Sequence, residues 1–343
     1  MGQLSISRSL NDKYIFRLTD DTGMLQHSKH GVPNPAYGYT TDDNARALIM
    51  AVLLYEKYKD EKYLDLIYRY SSFLLHAQNE KGRFRNFMSY DRKWLEEEGS
   101  EDCFGRCIWA LGFAISSGCT PHDVKNALKY VLEKALPNAV LLDSLRGKAY
   151  SITGLAYLGD ENVKQLISVM AESICRQYDS FRDGDWKWFE NIVAYSNGVL
   201  PRALFAAYRI TGDERFCSVA EESLEFLEGL TFKNGYFKPV GCNGWFLKGK
   251  SPAQYDEQPV EACETALAYL EAYEATGKKM YIQKAKECHL WYEGRNSKDL
   301  PLVDANTGGC FDGLTNEGVN MNMGAESLVS YVISFLKVSS IEN

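Results

Sequence analysis

The sequence has no long apolar run, no excess of positive charge and no segment that resembles a secretion signal. Its longest apolar stretches, residues 47–55 and 107–115, are far shorter than the roughly 20 residues that a membrane-spanning helix requires. The formal net charge of −8 leaves no basic face to hold phosphates, so nucleic acid is not an expected partner. The N-terminal residues contain no uninterrupted apolar segment, which predicts a cytoplasmic protein without a membrane partner.

The nine cysteines lack the pattern of a disulfide framework or a metal site. Their number is odd and most lie in helical patterns, which is typical of reduced thiols in a core. No C-x-x-C pair occurs, and Cys103 with Cys107 has no second matched pair, so no zinc site is expected. The sequence implies no other metal ion and no organic cofactor.

A pair of helical patterns repeats along the chain. In each pair, a nearly all-apolar segment, typical of a helix buried on all sides, precedes a short turn and an amphipathic segment. The apolar segments are residues 43–58, 107–115, 151–159, 203–208, 266–273 and 328–336, and the amphipathic segments are residues 61–79, 121–142, 161–178, 213–229 and 278–293. The N-terminal segment can supply a sixth outer helix.

Six such hairpins that close on themselves predict an all-α protein, a single (α/α)6 toroid domain over residues 1–343. No alternation of β-branched residues is long enough to build a sheet, and short strands are expected only near residues 83–90 and 235–247. Pro201 and Pro259 are expected at the first position of their helices, where a missing N–H costs nothing.

The connections that lead into the inner helices are long and rich in aromatic, amide and carboxylate residues, so they are expected to rim one funnel. Aromatic faces beside polar groups suit sugar rings and their hydroxyls, and glycosidic cleavage needs two carboxyl groups of unequal pKa. The candidate catalytic residues are Asp43, Asp102, Glu190 and Glu261. The candidate substrate-binding residues are Asp42, Arg46, Arg106, Trp188, Asn191, Trp245, Gln258, Glu317 and Asn320.

Glu190 is the preferred proton donor among these candidates. It follows Trp186 and Trp188 and precedes the next helix by about ten residues, so no capping role explains it. An apolar aromatic setting favours the protonated form of a carboxyl group. The two tryptophans are equally compatible with a place in the core. Sequence therefore leaves open whether this segment faces the funnel or the interior.

Several other candidates have a purely structural alternative. Asp42, Asp43 and Asp102 lie at expected helix starts, where a carboxylate can cap the helix. Arg46 and Arg106 each follow an aspartate by four residues, a spacing that also favours an ion pair within one helix. The asparagines of the last rim segment are common in turns for reasons of backbone conformation alone.

Seven segments resemble bacterial glycoside-hydrolase-like proteins of the six-hairpin glycosidase class, which occur alone or attached to glycosyltransferase domains. They are DDTGMLQH (20–27), GYTTDDNARAL (38–48), SEDCFGR (100–106), WFEN (188–191), DEQPVEA (256–262), TGGCFDGL (307–314) and NMGAES (322–327). The resemblance implies an (α/α)6 fold, a carbohydrate substrate and a functional link to a glycosyltransferase. Ser196 and Met323 depart from the pattern of the class, which argues against an essential acid or amide at these positions.

The expected function is glycoside hydrolysis of an oligosaccharide. One mannanase-type family of the class uses two consecutive aspartates, and Asp42 with Asp43 is similar, so a mannoside is one expected substrate. A sugar epimerase of the same fold is an alternative, but it needs acid/base histidines, for which only His27 and His30 are candidates. A third alternative is a non-catalytic, carbohydrate-binding partner of a glycosyltransferase.

Overall fold

The computed structural model describes residues 9–233 and 235–341, and the described chain is mostly helical. The inner helices are α2 (Thr41–Tyr58), α4 (Glu101–Ser116), α6 (Leu145–Ala156), α8 (Val199–Thr211), α10 (Pro259–Thr276) and α12 (Ala325–Ser339). The outer helices are α1 (Lys13–Leu18), α3 (Glu61–Ala77), α5 (His122–Ala139), α7 (Glu161–Phe181), α9 (Glu214–Thr231) and α11 (Met280–Leu290).

The inner helices form a closed ring. Each contacts the next in chain order, and α12 contacts α2 again. The outer helices α3, α5, α7, α9 and α11 each pack on the inner helix that precedes them. The predicted all-α (α/α)6 toroid is therefore confirmed.

The two kinds of helix differ in burial as their sequences predict. Residues 103–115 of α4 are all buried, because this helix contacts neighbours on every side. In α3 the buried residues include Tyr63, Leu66, Tyr70 and Leu74, which recur at helical spacing on one face. Helices buried all round therefore occupy the inner ring, and amphipathic helices cover it.

Glycines allow α4 and α6 to approach each other closely. A Cβ atom on Gly112 would lie 1.9 Å from the carbonyl oxygen of Gly154, and one on Gly105 would lie 2.5 Å from that of Gly147. Both distances are too short for a real contact. Backbone therefore touches backbone along this seam, and no larger residue fits without separating the two helices.

Short antiparallel strand pairs fasten the loops that precede the inner helices. They are β1 (Ser28–Lys29) with β2 (Val32–Pro33), β3 (Tyr39–Thr40) with β4 (Phe87–Met88), β5 (Ile192–Val193) with β6 (Phe246–Leu247), and β7 (Leu314–Thr315) with β8 (Gly318–Val319). The strands expected near residues 83–90 and 235–247 are confirmed by β4 and β6. The β3–β4 pair joins the loop before α2 to the loop before α4, and β5–β6 joins the loops before α8 and α10.

Three details differ from the sequence-based expectation. The sixth outer helix is reduced to the six residues of α1, which Tyr14 fastens through its backbone N–H to Thr307 (2.9 Å) and its hydroxyl to Met323 (3.2 Å). Pro259 is at the start of α10 as predicted, but Pro201 is the third residue of α8. Helix α6 begins six residues before its apolar segment.

Among the described residues, no helix is long and apolar enough to cross a membrane.

The seam between α4 and α6 generates a stability prediction. We expect Gly112→Ala to lower the free energy of unfolding by about 1–3 kcal/mol or more, because its methyl group overlaps the Gly154 carbonyl. Gly229→Ala in α9 is the control: no atom lies within 4 Å of the added methyl group, so the higher helix propensity of alanine is expected to stabilise by up to about 1 kcal/mol. Urea unfolding of both variants checks this, and equal effects would contradict the seam.

Candidate active site

An open cavity of about 370 Å³ lies at the mouth of the ring where the inner helices begin. Its lining residues are Gln26, His27, Thr40, Asp42, Asp43, Asn86, Phe87, Gln258, Asp312, Asn320, Gly324, Glu326 and Ser327. The lining is mainly polar and includes four carboxylates. Asp42, Asp43, Gln258 and Asn320 are the sequence-predicted residues that the structure brings together here.

The first turn of α2 holds two adjacent aspartates in this cavity. Thr40 occupies the N-cap position without a side-chain cap, and Asn86 accepts from the backbone N–H of Thr41 (2.8 Å) and, through its side-chain oxygen, from that of Asp42 (3.1 Å). The loop before α4 thus satisfies N–H groups that a capping aspartate would otherwise bind. The capping alternative for Asp42 and Asp43 is therefore wrong, and both residues line the cavity.

Arg46 lies one turn further along α2 and binds three carboxylates. Its Nη2 lies 2.7 Å from Asp43 Oδ1 and 3.5 Å from Asp42 Oδ1, and its Nη1 lies 3.1 Å from Glu326 Oε2. The guanidinium is 3% exposed. The guanidinium therefore holds acidic side chains in position, and its contact with substrate stays a prediction.

Arg106 reaches from α4 across to α2. Its Nη1 donates to Asp42 Oδ2 at 2.8 Å, its Nη2 lies 3.4 Å from Ser196 Oγ, and its guanidinium carbon lies 5.1 Å from the centre of the Tyr150 ring. The structural alternative, an ion pair within α4 with Asp102, does not form, because Asp102 accepts from Ser144 and Tyr195. Arg106 is buried as well and holds Asp42, and its contact with substrate stays a prediction.

The two adjacent aspartates have displaced pKa values of opposite sign. Burial acts to raise the pKa of Asp42, but the charges of Arg106 and Arg46 outweigh burial and lower it. Burial, followed by repulsion from Asp42, raises the pKa of Asp43 to about 7. One carboxyl group is thus kept ionised while its neighbour holds a proton up to about neutral pH, which is the division that acid/base catalysis requires.

The first turn of α12 completes the acidic site. Asp312 Oδ1 accepts from the backbone N–H of Gly324 (2.6 Å) and from Ser327 Oγ (2.6 Å), and its Oδ2 accepts from Asn322 (2.7 Å). These bonds fix the start of α12 and place Glu326 in the cavity. Glu326 and Asp312 were not among the sequence-predicted site residues, although both lie in motifs of the last rim segment.

A second group of predicted residues lies at the starts of α4, α6 and α8. Asp102 accepts from Ser144 Oγ (2.6 Å) and Tyr195 Oη (2.6 Å), while the α4 cap is Ser100. The capping alternative for Asp102 is thus wrong. Arg146 donates to Glu190 Oε2 at 3.0 Å. Glu190 therefore sits in an ion pair, not in the apolar setting expected for a proton donor.

Arg146 itself was missed from the sequence. It holds the carbonyl oxygen of Tyr195 (2.6 Å) as well as Glu190, and its guanidinium lies 4.4 Å from the Tyr195 ring centre. It precedes the apolar segment of α6 in a stretch, residues 146–148, that reads Arg-Gly-Lys and breaks the apolar pattern. Because α6 was expected to begin only at residue 151, Arg146 was not considered as part of an inner helix.

Glu261 lies on the first turn of α10, as predicted, but is 4% exposed. It accepts from the backbone N–H groups of Ser196 and Asn197 (3.2 Å for Asn197) and from the Asn197 side chain (2.8 Å). Burial raises the pKa of Glu261 to about 7 despite these hydrogen bonds. Because its oxygens are occupied, Glu261 holds the turn before α8 in place.

Four remaining predicted residues lie outside the cavity. Trp188 is fully buried and stacks on Phe226, with ring centres 5.9 Å apart, so it is a core residue and does not contact a sugar. Trp245 is partly exposed beside Tyr195, with the ring centres 6.5 Å apart and the ring planes at 39°. Asn191 and Glu317 are exposed; Glu317 lies in the turn between β7 and β8.

His27 also lines the cavity, so the segment before α2 does fold over the funnel. Its Nδ1 atom is buried and has no hydrogen-bond partner among residues 9–233 and 235–341, and its ring meets Tyr37 edge-on at 5.1 Å. His30 is exposed and does not line the cavity. Over the same described ranges, no group of three or more His, Cys, Asp or Glu is arranged to hold a metal ion.

The raised pKa of Asp43 generates a pH prediction. Between its unfolded pKa near 3.8 and its folded pKa of about 7, the folded state holds a proton that the unfolded state has lost, so this residue stabilises less as pH rises. The unfolding free energy of Asp43→Asn minus that of the native protein should therefore rise from pH 4 to pH 7, by at most about 1.4 kcal/mol per pH unit. Urea unfolding at several pH values measures it; a difference that falls or stays flat contradicts the raised pKa.

No family model matches the chain, and no curated protein matches it in sequence. Solved structures do match in fold. A sugar epimerase from a ruminal bacterium has a TM-score of 0.72 at 14% identity over 96% of this chain and 97% of that chain. A GH76 α-mannanase from Bacteroides thetaiotaomicron has a TM-score of 0.63 at 12% identity over 89% and 87%.

A third similar structure is an inactive variant of an α-1,6-mannanase from Salegentibacter, in which two consecutive aspartates are replaced by alanine, in complex with α-1,6-mannotetrose. It has a TM-score of 0.61 at 13% identity over 97% of this chain and 96% of that chain. At these identities the likeness concerns the fold. The resemblance drawn from the sequence motifs is confirmed at that level: the chain has the fold of the six-hairpin glycosidase class.

Proposed function

We propose that the protein is a carbohydrate-active enzyme, a glycoside hydrolase that cleaves an oligosaccharide. Its polar cavity is lined by carboxylates and amides, with Phe87 at the edge, which suits hydroxyl groups and one apolar sugar face. Proteins of similar fold are described as sugar epimerases and α-mannanases. Their described activities support a carbohydrate as the substrate of this cavity.

The opposed pKa displacements of Asp42 and Asp43 carry the proposal. Asp43, with its pKa raised to about 7, donates a proton to the glycosidic oxygen, and ionised Asp42 stabilises positive charge that develops on the sugar ring. The α-1,6-mannanase variant described as inactive lacks two consecutive aspartates. That description supports a shared role for Asp42 with Asp43, and an α-mannoside as the first substrate to test.

The residues at the starts of α4, α6 and α8 are proposed to bind sugar units beyond the cleaved bond. Tyr195, 41% exposed, donates to Asp102 through its hydroxyl and lies beside the Trp245 ring. Arg106 connects this region to Asp42. This arrangement favours a chain of at least two sugars over a monosaccharide, with Glu190 as a positioning residue instead of the proton donor.

A sugar epimerase is the second candidate. Cellobiose 2-epimerases are also similar in fold, and His27 in the cavity is an acid/base group that a hydrolase does not need. An epimerase removes and returns a proton on carbon, so it exchanges that hydrogen with solvent, whereas a glycosidase does not.

Hydrolysis of manno- and gluco-oligosaccharides of defined linkage tests the proposal. We expect cleavage of one linkage by the native protein, and a loss of kcat of about 100-fold or more in Asp43→Asn with binding retained, because general acid catalysis contributes 10²–10⁴-fold. Glu190→Gln should mainly raise KM. Glu133→Gln, exposed on α5, is the matched control and should match the native protein.

The pH profile adds an independent readout. Native kcat should fall above about pH 7 as Asp43 loses its proton, and this decline should be absent from the residual activity of Asp43→Asn. Incorporation of deuterium from heavy water into the sugar, without cleavage, would contradict the hydrolase proposal and support the epimerase. Binding without either reaction, equal in all variants, would favour the non-catalytic partner of a glycosyltransferase.

A further inference from the structure

The carboxylates that line the cavity differ in whether an oxygen is free to accept a proton. Asp312 is occupied by three donors that fix the start of α12. Asp42 is 18% exposed, and its oxygens face Arg106 at 2.8 Å, Thr40 at 3.4 Å and Arg46 at 3.5 Å. The oxygens of Asp43 accept from Arg46 (2.7 Å) and from Thr40 Oγ1 (2.5 Å). None of these three groups offers an open oxygen to a water molecule in the cavity.

Glu326 does offer one. Its side chain is 43% exposed, against 6% for Asp43, and only its Oε2 is bound, by Arg46 at 3.1 Å. Within the described part of the chain, its Oε1 has no hydrogen-bond partner. Glu326 lies in the first turn of α12, next to the Arg46 guanidinium.

Glu326 also lies close to Asp43. The two carboxylates bind Nη1 and Nη2 of the single Arg46 guanidinium, so their bonded oxygens are at most about 8 Å apart. Carboxyl groups of inverting glycosidases are roughly 6.5–9.5 Å apart, which leaves room for a water molecule. One rigid cation thus binds both groups, and the anomeric outcome of hydrolysis tests whether a water molecule fits between them.

We propose that Glu326 is the general base of the reaction, a role that rests on the proposed hydrolytic function. A water oxygen forms a bond to the anomeric carbon and gives one proton to Glu326 Oε1. The bond from the anomeric carbon to the glycosidic oxygen breaks, and that oxygen takes the proton of Asp43. Both products are neutral, and proton exchange with solvent returns Glu326 and Asp43 to their starting forms.

The other carboxylates at this mouth do not meet these requirements. Both oxygens of Asp102 accept hydrogen bonds, and those of Glu261 accept three N–H groups in a buried turn. Glu190 does not line the cavity that holds Asp43. The open carboxylate beside the acid is therefore Glu326.

The test compares Glu326→Gln with the native enzyme on the linkage that the native enzyme cleaves. We expect kcat to fall about 100-fold or more with little change in KM, because general base catalysis contributes 10²–10⁴-fold. Native hydrolysis should invert the anomeric configuration. Glu225→Gln, exposed on outer helix α9, is the control and should retain native activity.

Azide rescue separates a base from a positioning residue. Azide needs no proton removed, so it should restore turnover to Glu326→Ala and yield a glycosyl azide of inverted configuration. A merely structural role for Glu326 predicts no rescue. Because this readout compares one variant with and without azide, it does not depend on how well Glu326→Gln matches the native fold.

The outcomes distinguish this inference from the function on which it rests. Native cleavage with nearly full activity in Glu326→Gln overturns the role of Glu326 and leaves the hydrolase standing. Retention of anomeric configuration also overturns the base role alone. Failure of the native protein to cleave any glycoside overturns both.

Discussion

The contact on which the site depends is the buried guanidinium of Arg46. It belongs to the first inner helix and binds Glu326 of the last, so it joins the two helices at which the ring closes. It also binds Asp43 and approaches Asp42. Without this cation, Asp43 and Glu326 would lose their ion pairs beside Asp42, which would keep Arg106. Such a cluster would protonate or separate. The same side chain, Arg46, thus connects the first and last inner helices and balances the negative charge of the cavity.

Charge pairing continues beneath the cavity. Arg106 of α4 binds Asp42 of α2 and lies against the Tyr150 ring. The Tyr150 hydroxyl donates to Glu264 Oε1 at 3.0 Å. Glu264 in turn lies 3.6 Å from Arg202. Inner helices that are otherwise apolar therefore meet through paired charges along the ring interior. Such pairs are costly to break singly, because each loss leaves a buried ion without a partner.

The fold could be predicted from the sequence because the burial of each helix determines the spacing of its apolar residues. Helices surrounded by neighbours are apolar throughout, and helices at the surface are apolar on one face. The prediction of helix bounds fails where polar or small residues with another role interrupt the apolar pattern. Helix α6 was expected to begin at residue 151, because the preceding Arg146 and Gly147 interrupt the apolar pattern. Gly147 allows the close contact with α4, and Arg146 pairs with Glu190.

The site was only partly predictable, because residue type does not give direction. Trp188 and Tyr195 both have aromatic side chains that could stack on a sugar. Trp188 is buried against Phe226, whereas Tyr195 is exposed. Glu317 and Glu326 belong to the same rim segment, yet only Glu326 faces the cavity. The adjacent aspartates were found because adjacency itself brings two carboxyl groups together. Their unequal pKa values depend on arginines from two helices, a pairing that sequence spacing does not reveal.

The strand pairs β3–β4 and β5–β6 have a consequence for how such a protein diversifies. Each pair joins a loop of one hairpin to a loop of the next, so the rim is not a set of independently variable segments. An insertion in one loop shifts the strand that holds its neighbour. New substrate preferences in this scaffold should therefore arise by coordinated change in two loops at a time, and loops exchanged between relatives should be transplanted as pairs.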